Sequence, residues 1–200
     1  DYRLNAEHPP LVKYLAALGA DLAVKPYFPT DTAPWQNETK NQWAQWDHGT
    51  IFLYQSNNDA DAIIFWARVP MMILTLLLGI LLYTWSYRRF GGQVALLATA
   101  LYAFSPTVLA HGRYVTTDIG ATIGFFIGIT SYVSFLKSRT WAHVCVAGAA
   151  FGIAQLLKFS LILLIPMYGI LLILWAWSHP EFISARKRFA TFGTGALQTI

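Results

Sequence analysis

The sequence predicts an all-α protein that crosses a membrane several times, and three observations carry the prediction. Only 12% of its 200 residues are charged and 56% are hydrophobic, whereas a soluble domain carries about 25% charged residues. The apolar residues gather after Arg68 in runs free of charge, among them 90–112 and 119–136, long enough to cross a bilayer as helices. The basic residues sit in short turns between such runs: Arg88-Arg89, Lys137 with Arg139, and Arg186-Lys187-Arg188.

Residues 1–67 form a first region, mostly polar and too long for a simple hairpin loop. After Pro9-Pro10, the residues Leu11, Tyr14, Leu15, Leu18 and Leu22 recur every three or four positions, which predicts an amphipathic helix from 11 to about 24. Such a helix can lie at the membrane interface or pack on the ends of the spanning helices. Residues 25–34 carry three prolines and read as a loop. From Asn41 to Gln55 a second partly apolar segment carries Trp43, Trp46, Phe52 and Tyr54, aromatics suited to the lipid headgroup level. Ser56-Asn57-Asn58-Asp59 can cap a helix that begins near Ala60 and is fully apolar after Arg68.

Residues 68–200 form the transmembrane region, with five full crossings near 68–86, 92–110, 118–136, 141–157 and 160–178, and the start of a sixth at the end. Pro70, Pro106 and Pro166 fall within these spans, where a proline kinks the helix and frees a carbonyl. Counting crossings puts the three basic turns on one side, and the positive-inside rule makes that side cytoplasmic. Residues 1–67, the 111–117 turn and Lys158 then share the outer face. Merging 141–178 into one helix would bury Lys158 near mid-membrane, which is expensive. The sequence begins at Asp1 and stops inside an apolar stretch, so it reads as the N-terminal fragment of a longer chain.

The net charge of +4 is no nucleic-acid signal, because the basic residues are dispersed: residues 1–67 carry eight acidic side chains against four basic ones. The single Cys145 excludes a disulfide within the fragment and a cysteine-based metal cluster.

The outer face gathers the chemistry. Glu7 and His8 precede the proline pair, where an acid and an imidazole can handle a proton or simply belong to a rigid loop. Arg68 and Lys158 either snorkel to the headgroups or hold an anion such as phosphate, which the guanidinium fork of Arg68 suits. In the 111–118 turn, Thr117 and Asp118 can cap the third crossing. Capping leaves His111 and Arg113 unexplained. Three cations, an acid and two imidazoles on one face point to phosphate on a lipid carrier, with a carboxylate to serve a sugar acceptor. A divalent metal is possible, but His8, His48, His111 and Asp118 lie at no diagnostic ligand spacing.

Five stretches in order, NAEHPPLVKYLAAL (5–18), NNDADAIIFWARVP (57–70), RRFGG (88–92), LYAFSPTVLAHGRYVTTDIG (101–120) and GIAQLLKFSLILLIP (152–166), resemble the N-terminal part of a bacterial membrane glycosyltransferase. The family is that of the dolichyl-phosphate-mannose–protein mannosyltransferases, which includes the lipid A aminoarabinose transferase. The resemblance implies the C-type glycosyltransferase fold and a multi-pass protein of the bacterial inner membrane. Its active site would face the periplasm, its donor would be a polyprenyl-phosphate sugar, and its acceptor a protein, lipid or glycan. It implies an Asp-Glu pair, with the presumed catalytic base, just beyond the first spanning helix. No such pair occurs in this sequence, so the main base is expected upstream of residue 1. By the same resemblance Asp118 is the active-site acid of the second outer loop, Glu7 and His8 match the first-loop motif, and Lys158 matches the lysine that opens a later helix.

The leading expectation is inverting sugar transfer, with Asp118 as the catalytic candidate. Glu7, His8, Arg68, His111, Arg113 and Lys158 are the substrate-binding candidates, and no nucleic acid is involved. A carrier or flippase for an anionic lipid-linked substrate would need the same cations but no base. A membrane scaffold would need neither.

Overall fold

The computed structural model describes residues 8–36 and 43–179, and these are helical apart from loops and turns. Helix α1 (Pro10–Val24) opens the described chain, followed by the short α2 (Ala33–Gln36) and α3 (Ala44–Thr50), the last continuing into a π-helical turn at Ile51–Gln55. Then come α4 (Ala60–Phe90), α5 (Gly92–Ala103), α6 (Pro106–His111), α7 (Thr117–Lys137) and α8 (Trp141–Leu157). A 3-10 turn (Phe159–Leu163) leads into α9 (Leu164–Ser178). Among the described residues three stretches are long and apolar enough to cross a membrane: α4, α7, and the 3-10 turn together with α9. Helices α5 and α8 are apolar but shorter.

Helix α4 begins where the sequence offers a cap: the Asp59 carboxylate accepts the Ala62 N–H at 3.0 Å. It ends at Gly91, whose φ of 84° lies where a side chain is costly. Arg88 and Arg89 fill its last turn and Lys137 fills that of α7, favourable beside the negative ends of the helix dipoles. The third basic turn, 179–188, lies outside the described residues beyond His179, as does the start of a sixth span.

The second crossing departs from expectation. It is not one helix over 92–110 but α5 and α6, broken at Phe104-Ser105. Pro106 forces the break: it lacks an N–H for the ladder and pushes Ser105 into extended backbone, with φ −65° and ψ 121°. The Ser105 hydroxyl then caps α6, facing the Val108 N–H at 3.5 Å. Pro166 lies inside the last apolar stretch as expected, but in the first turn of α9, where a missing N–H has no helical partner to lose. Pro70 does lie inside α4, and the Trp66 carbonyl one turn earlier has no ladder partner. Gly19 of α1 packs directly on that carbonyl; a Cβ there would overlap the Trp66 oxygen and stand 2.9 Å from Pro70 Cγ.

Helix α1 therefore packs on the spanning helices, but with a different face from the one its large residues suggest. Val12, Ala16 and Ala20 are buried and Leu11 and Leu15 pack partly on the core, while Tyr14, Leu18 and Leu22 are exposed. Small residues win the contact because they let α1 lie close against α4 at Gly19. Beyond α1, Phe28, Trp35, His48 and Phe52 form an aromatic knot in the loop region, with ring centroids 4.9 to 5.7 Å apart. Within it His48 is 3% exposed, and its Nδ1 lies 3.1 Å from the Thr32 hydroxyl.

Helix α7 is the hub. Gly120, Gly124 and Gly128 recur every fourth residue and make one seam. A Cβ on Gly124 would stand 2.6 Å from Leu161 Cδ1 and 3.1 Å from Ala154 Cα, and one on Gly128 would stand 2.9 Å from Leu164 Cδ1. At the top of the seam Gly120 faces both Leu157 of α8 and Val12 of α1. Around it Met71, Leu78, Ile123, Ala154 and Leu164 make a common core, and Tyr132 stacks on Tyr168 of α9 at 4.1 Å. The outer faces of α4 and α9 stay apolar and exposed, as at Leu76, Ile80, Ile173 and Trp177, which suits contact with lipid.

Two outcomes follow. Gly124→Leu in the full-length protein lowers stability in detergent by roughly 1–3 kcal/mol, the cost of forcing bulk into a filled seam. Gly152→Ala, with nothing within 4 Å of the new Cβ, leaves the melting temperature in place. Equal melting for both would mean that the seam does not hold α7 to α8. Burial pushes the His48 imidazole below its ordinary value, so the fold holds it neutral. Its contribution to stability is complete above about pH 6.5 and is lost as the pH falls through the lowered folded value. Limited proteolysis of the loop region should therefore speed up on acidification, and His48→Phe should flatten that dependence; an unchanged profile would assign it to other groups.

Candidate functional site

The end of α5 and the 111–118 turn are each anchored to α4 by a hydroxyl. Tyr102, at the end of α5, donates to the Thr75 carbonyl at 2.8 Å, and the Thr75 hydroxyl donates to the Gly112 carbonyl at 2.9 Å. Gly112 is needed for this approach, since a Cβ would come within 2.9 Å of Thr75 Cγ2. The turn then tightens through Tyr114 N–H to His111 O at 3.3 Å and Thr116 N–H to Tyr114 O at 2.8 Å.

Asp118 is the second residue of α7, and the expected capping role does not hold for it or for Thr117. The cap position is Thr116, with no side-chain cap bond, and Thr117 is already helical. The Asp118 carboxylate turns instead to Lys158, whose Nζ donates to Oδ1 at 3.0 Å. His111 Nδ1 stands 3.3 Å from the other oxygen, Oδ2. That nitrogen is buried and makes no hydrogen bond, so a protonated His111 would be attracted to the carboxylate by charge rather than by an aligned bond. Lys158 is presented in extended backbone between α8 and the 3-10 turn, with φ −156°. Gln155 braces the turn by donating to the Leu161 carbonyl at 3.1 Å.

The side chains of Lys158 and Asp118 are 30% and 48% exposed. An ion pair this wet contributes only about 0–1 kcal/mol to stability. The glycine seam between the same two helices does far more to hold them, so the pair is better understood as presenting a fixed carboxylate than as a structural clasp.

Arg68 and Arg113 meet nearby at a residue that sequence reasoning missed. Both guanidinium carbons lie over the Tyr114 ring, at 5.0 and 5.1 Å from its centroid, and Arg113 Nη2 donates to the Tyr114 hydroxyl at 3.2 Å. The one sequence signal for Tyr114 is an aromatic next to Arg113 in a turn.

Of the sequence candidates, Asp118, His111 and Lys158 thus form one cluster, while Arg68 and Arg113 form another around Tyr114. His8 is exposed at the entrance to α1, and Glu7 lies outside the described residues. His48, weighed above as a metal ligand, is instead enclosed in the aromatic knot. Among the described residues no three His, Cys, Asp or Glu side chains come together where one metal ion would join them.

Comparison with known proteins gives one match. The family model for dolichyl-phosphate-mannose-protein mannosyltransferase matches residues 60–197, which takes in α4 to α9 and every member of both clusters. No curated protein and no solved structure matches the chain. The match covers well over half of the chain and agrees with its apolar helices; the chain belongs to the dolichyl-phosphate-mannose-protein mannosyltransferase family of membrane glycosyltransferases.

Proposed function

We propose that this protein transfers a sugar from a polyprenyl-phosphate donor to a hydroxyl or amine of an acceptor on the extracytoplasmic face, with inversion at the anomeric carbon. The observation that supports it best is the Asp118 carboxylate, fixed by Lys158 at 3.0 Å with His111 at 3.3 Å, with Arg113 in the same turn and Arg68 of α4 brought to it over the Tyr114 ring. The acceptor oxygen or nitrogen attacks the anomeric carbon and loses its proton to a carboxylate. The bond from that carbon to the phosphate oxygen breaks, and the polyprenyl phosphate leaves with the electron pair. Negative charge grows on the phosphate as the bond stretches, so cations on this face stabilise the transition state more than the ground state. Arg68, Arg113 and Lys158 supply them. Asp118 orients the acceptor through its hydrogen-bonding oxygens, and Lys158 keeps that carboxylate in one position.

The two faces follow from charge. With Arg88-Arg89 and Lys137 at cytoplasmic helix ends, the 111–117 turn, Lys158 and the loop-region segments 8–36 and 43–59 face outward, toward the periplasm of a bacterial inner membrane.

Asp118→Asn tests the site. Asn keeps the shape and removes the charge, and a wet ion pair carries little stability, so the variant should melt within a few degrees of the parent. Turnover with a polyprenyl-phosphate sugar should drop roughly tenfold to a thousandfold, about 1.4–4 kcal/mol of activation free energy. Full turnover would remove Asp118 from the reaction. For orientation, an impermeant thiol reagent applied from outside to a Cys145→Ser background should tag Tyr27→Cys and spare Ser138→Cys. The reverse pattern would invert the topology and place the Asp118 cluster in the cytoplasm.

A further inference from the structure

An apolar groove of about 460 Å³ lies between α7, α8 and α9, toward the helix ends opposite Asp118 and Lys158. Phe135 and Val144 line it near the 137–140 turn, and Phe151 and Tyr168 line it farther along the bundle. From Val144 to Phe151 it follows α8 for about 10 Å of helix rise. Tyr132 stacks on Tyr168 at 4.1 Å and Phe151 stands 6.0 Å from Tyr168, which makes one wall an aromatic surface. Gly148 also lines the groove, and a Cβ there would meet nothing within 4 Å. The space over it is open.

The turn at its mouth is basic. Lys137 closes α7, and Arg139 lies near enough to the Tyr132 hydroxyl to act on it by charge. Residues 119–180 contain no acidic residue, so α7, α8 and α9 bring only positive charge to this end. Helix α8 starts at the same turn and turns its positive pole the same way. A basic mouth on a slot between spanning helices, level with one membrane surface, suits an anionic lipid headgroup. The aromatic wall suits the acyl chain. A protein segment could fill the slot without using the cations, and a free anion would leave the slot empty.

We infer that this groove retains one anionic phospholipid of the surrounding membrane, with its phosphate at Lys137 and Arg139 and an acyl chain running over Gly148 toward Tyr168. With the orientation proposed above, that lipid belongs to the cytoplasmic leaflet. It lies across the membrane from the Asp118 cluster and takes no part in the transfer reaction; its effect is to fill the slot and hold the three helices together.

Titrating the delipidated full-length protein in detergent with dioleoylphosphatidylglycerol, and following its melting temperature, tests the site. The parent should melt higher with this anionic lipid, while dioleoylphosphatidylcholine should give little shift. Gly148→Leu puts bulk where there is room, so it should melt like the parent without lipid and lose most of the response. Gly152→Leu has equally open surroundings but lies outside the groove lining, and should keep the response. Arg139→Gln and Lys137→Gln should each raise the half-saturating lipid concentration roughly fivefold, the order expected for one basic residue at a membrane surface. Glycerol 3-phosphate, a headgroup without chains, should neither stabilise nor compete. Equal shifts with both lipids would mean ordinary solvation by lipid and overturn the proposal. A full response in Gly148→Leu would take the chain out of the groove. A Gly148→Leu variant that loses stability before lipid is added would show that protein already covers the groove, which overturns it too. Full competition by glycerol 3-phosphate would leave an anion site without a chain. Sugar transfer enters none of these readouts, so the lipid site and the transferase reading stand or fall separately.

Discussion

The approach of α7 to α8 at Gly120 and Gly124, continued against α9 at Gly128, is the constraint on which the rest depends. In a membrane there is no hydrophobic gain from bringing two apolar helices together, since lipid tails are as apolar as the helices, and close packing has to drive association. Ala154 and Leu161 come so near Gly124 that a methyl group there would overlap them. That closeness sets the distance between the helix ends where Asp118 begins α7 and Lys158 follows α8. The 3.0 Å bond between them is a result of the seam rather than its cause, because a half-exposed ion pair is too weak to fix two helices.

A second set of contacts places the turn that carries His111 and Arg113. Pro70 withholds an N–H from α4 and leaves the Trp66 carbonyl open, and Gly19 lays α1 across that point. Farther along α4, Thr75 and Tyr102 hold the break after α5 by two hydroxyl bonds. Arg68 thus lies on α4 between these two attachments, within reach of Tyr114. The groups that carry charge are held by backbone polar groups that irregular helices leave available, as expected where non-helical chain is sheltered by protein.

Much of this was legible in the sequence. The charge-free runs marked the helical class and the three longest apolar stretches, while two of the five expected crossings prove to be shorter helices, and Asp59 marked the start of α4. His111, Asp118 and Lys158, chosen for their shared face, do meet. What escaped was whatever depends on size rather than polarity. The burial of Val12, Ala16 and Ala20 while Tyr14, Leu18 and Leu22 stay exposed and Leu11 and Leu15 only partly pack on the core follows from close approach at Gly19, which a hydrophobic pattern does not encode. Tyr114 was hidden because its role is set by Arg68, distant in sequence and brought over its ring by the fold. The break at Ser105 was written in Pro106, but a continuous apolar run concealed how short it leaves α5.

That short helix has a consequence for biogenesis. Twelve residues rise only about 18 Å, against a hydrocarbon core of about 30 Å. Alone, α5 is a poor candidate for release into the bilayer by the insertion machinery. Joined to the 31-residue α4 through the tight Gly91-Gly92 corner, it can enter as the second arm of a preformed hairpin, its polar end shielded where Tyr102 reaches Thr75. The 17-residue α8 stands in the same relation to α7 through their glycine contact. The chain is therefore suited to leave the translocon in helical pairs, and a delay between the arms of a pair would expose the marginal one to quality-control proteases.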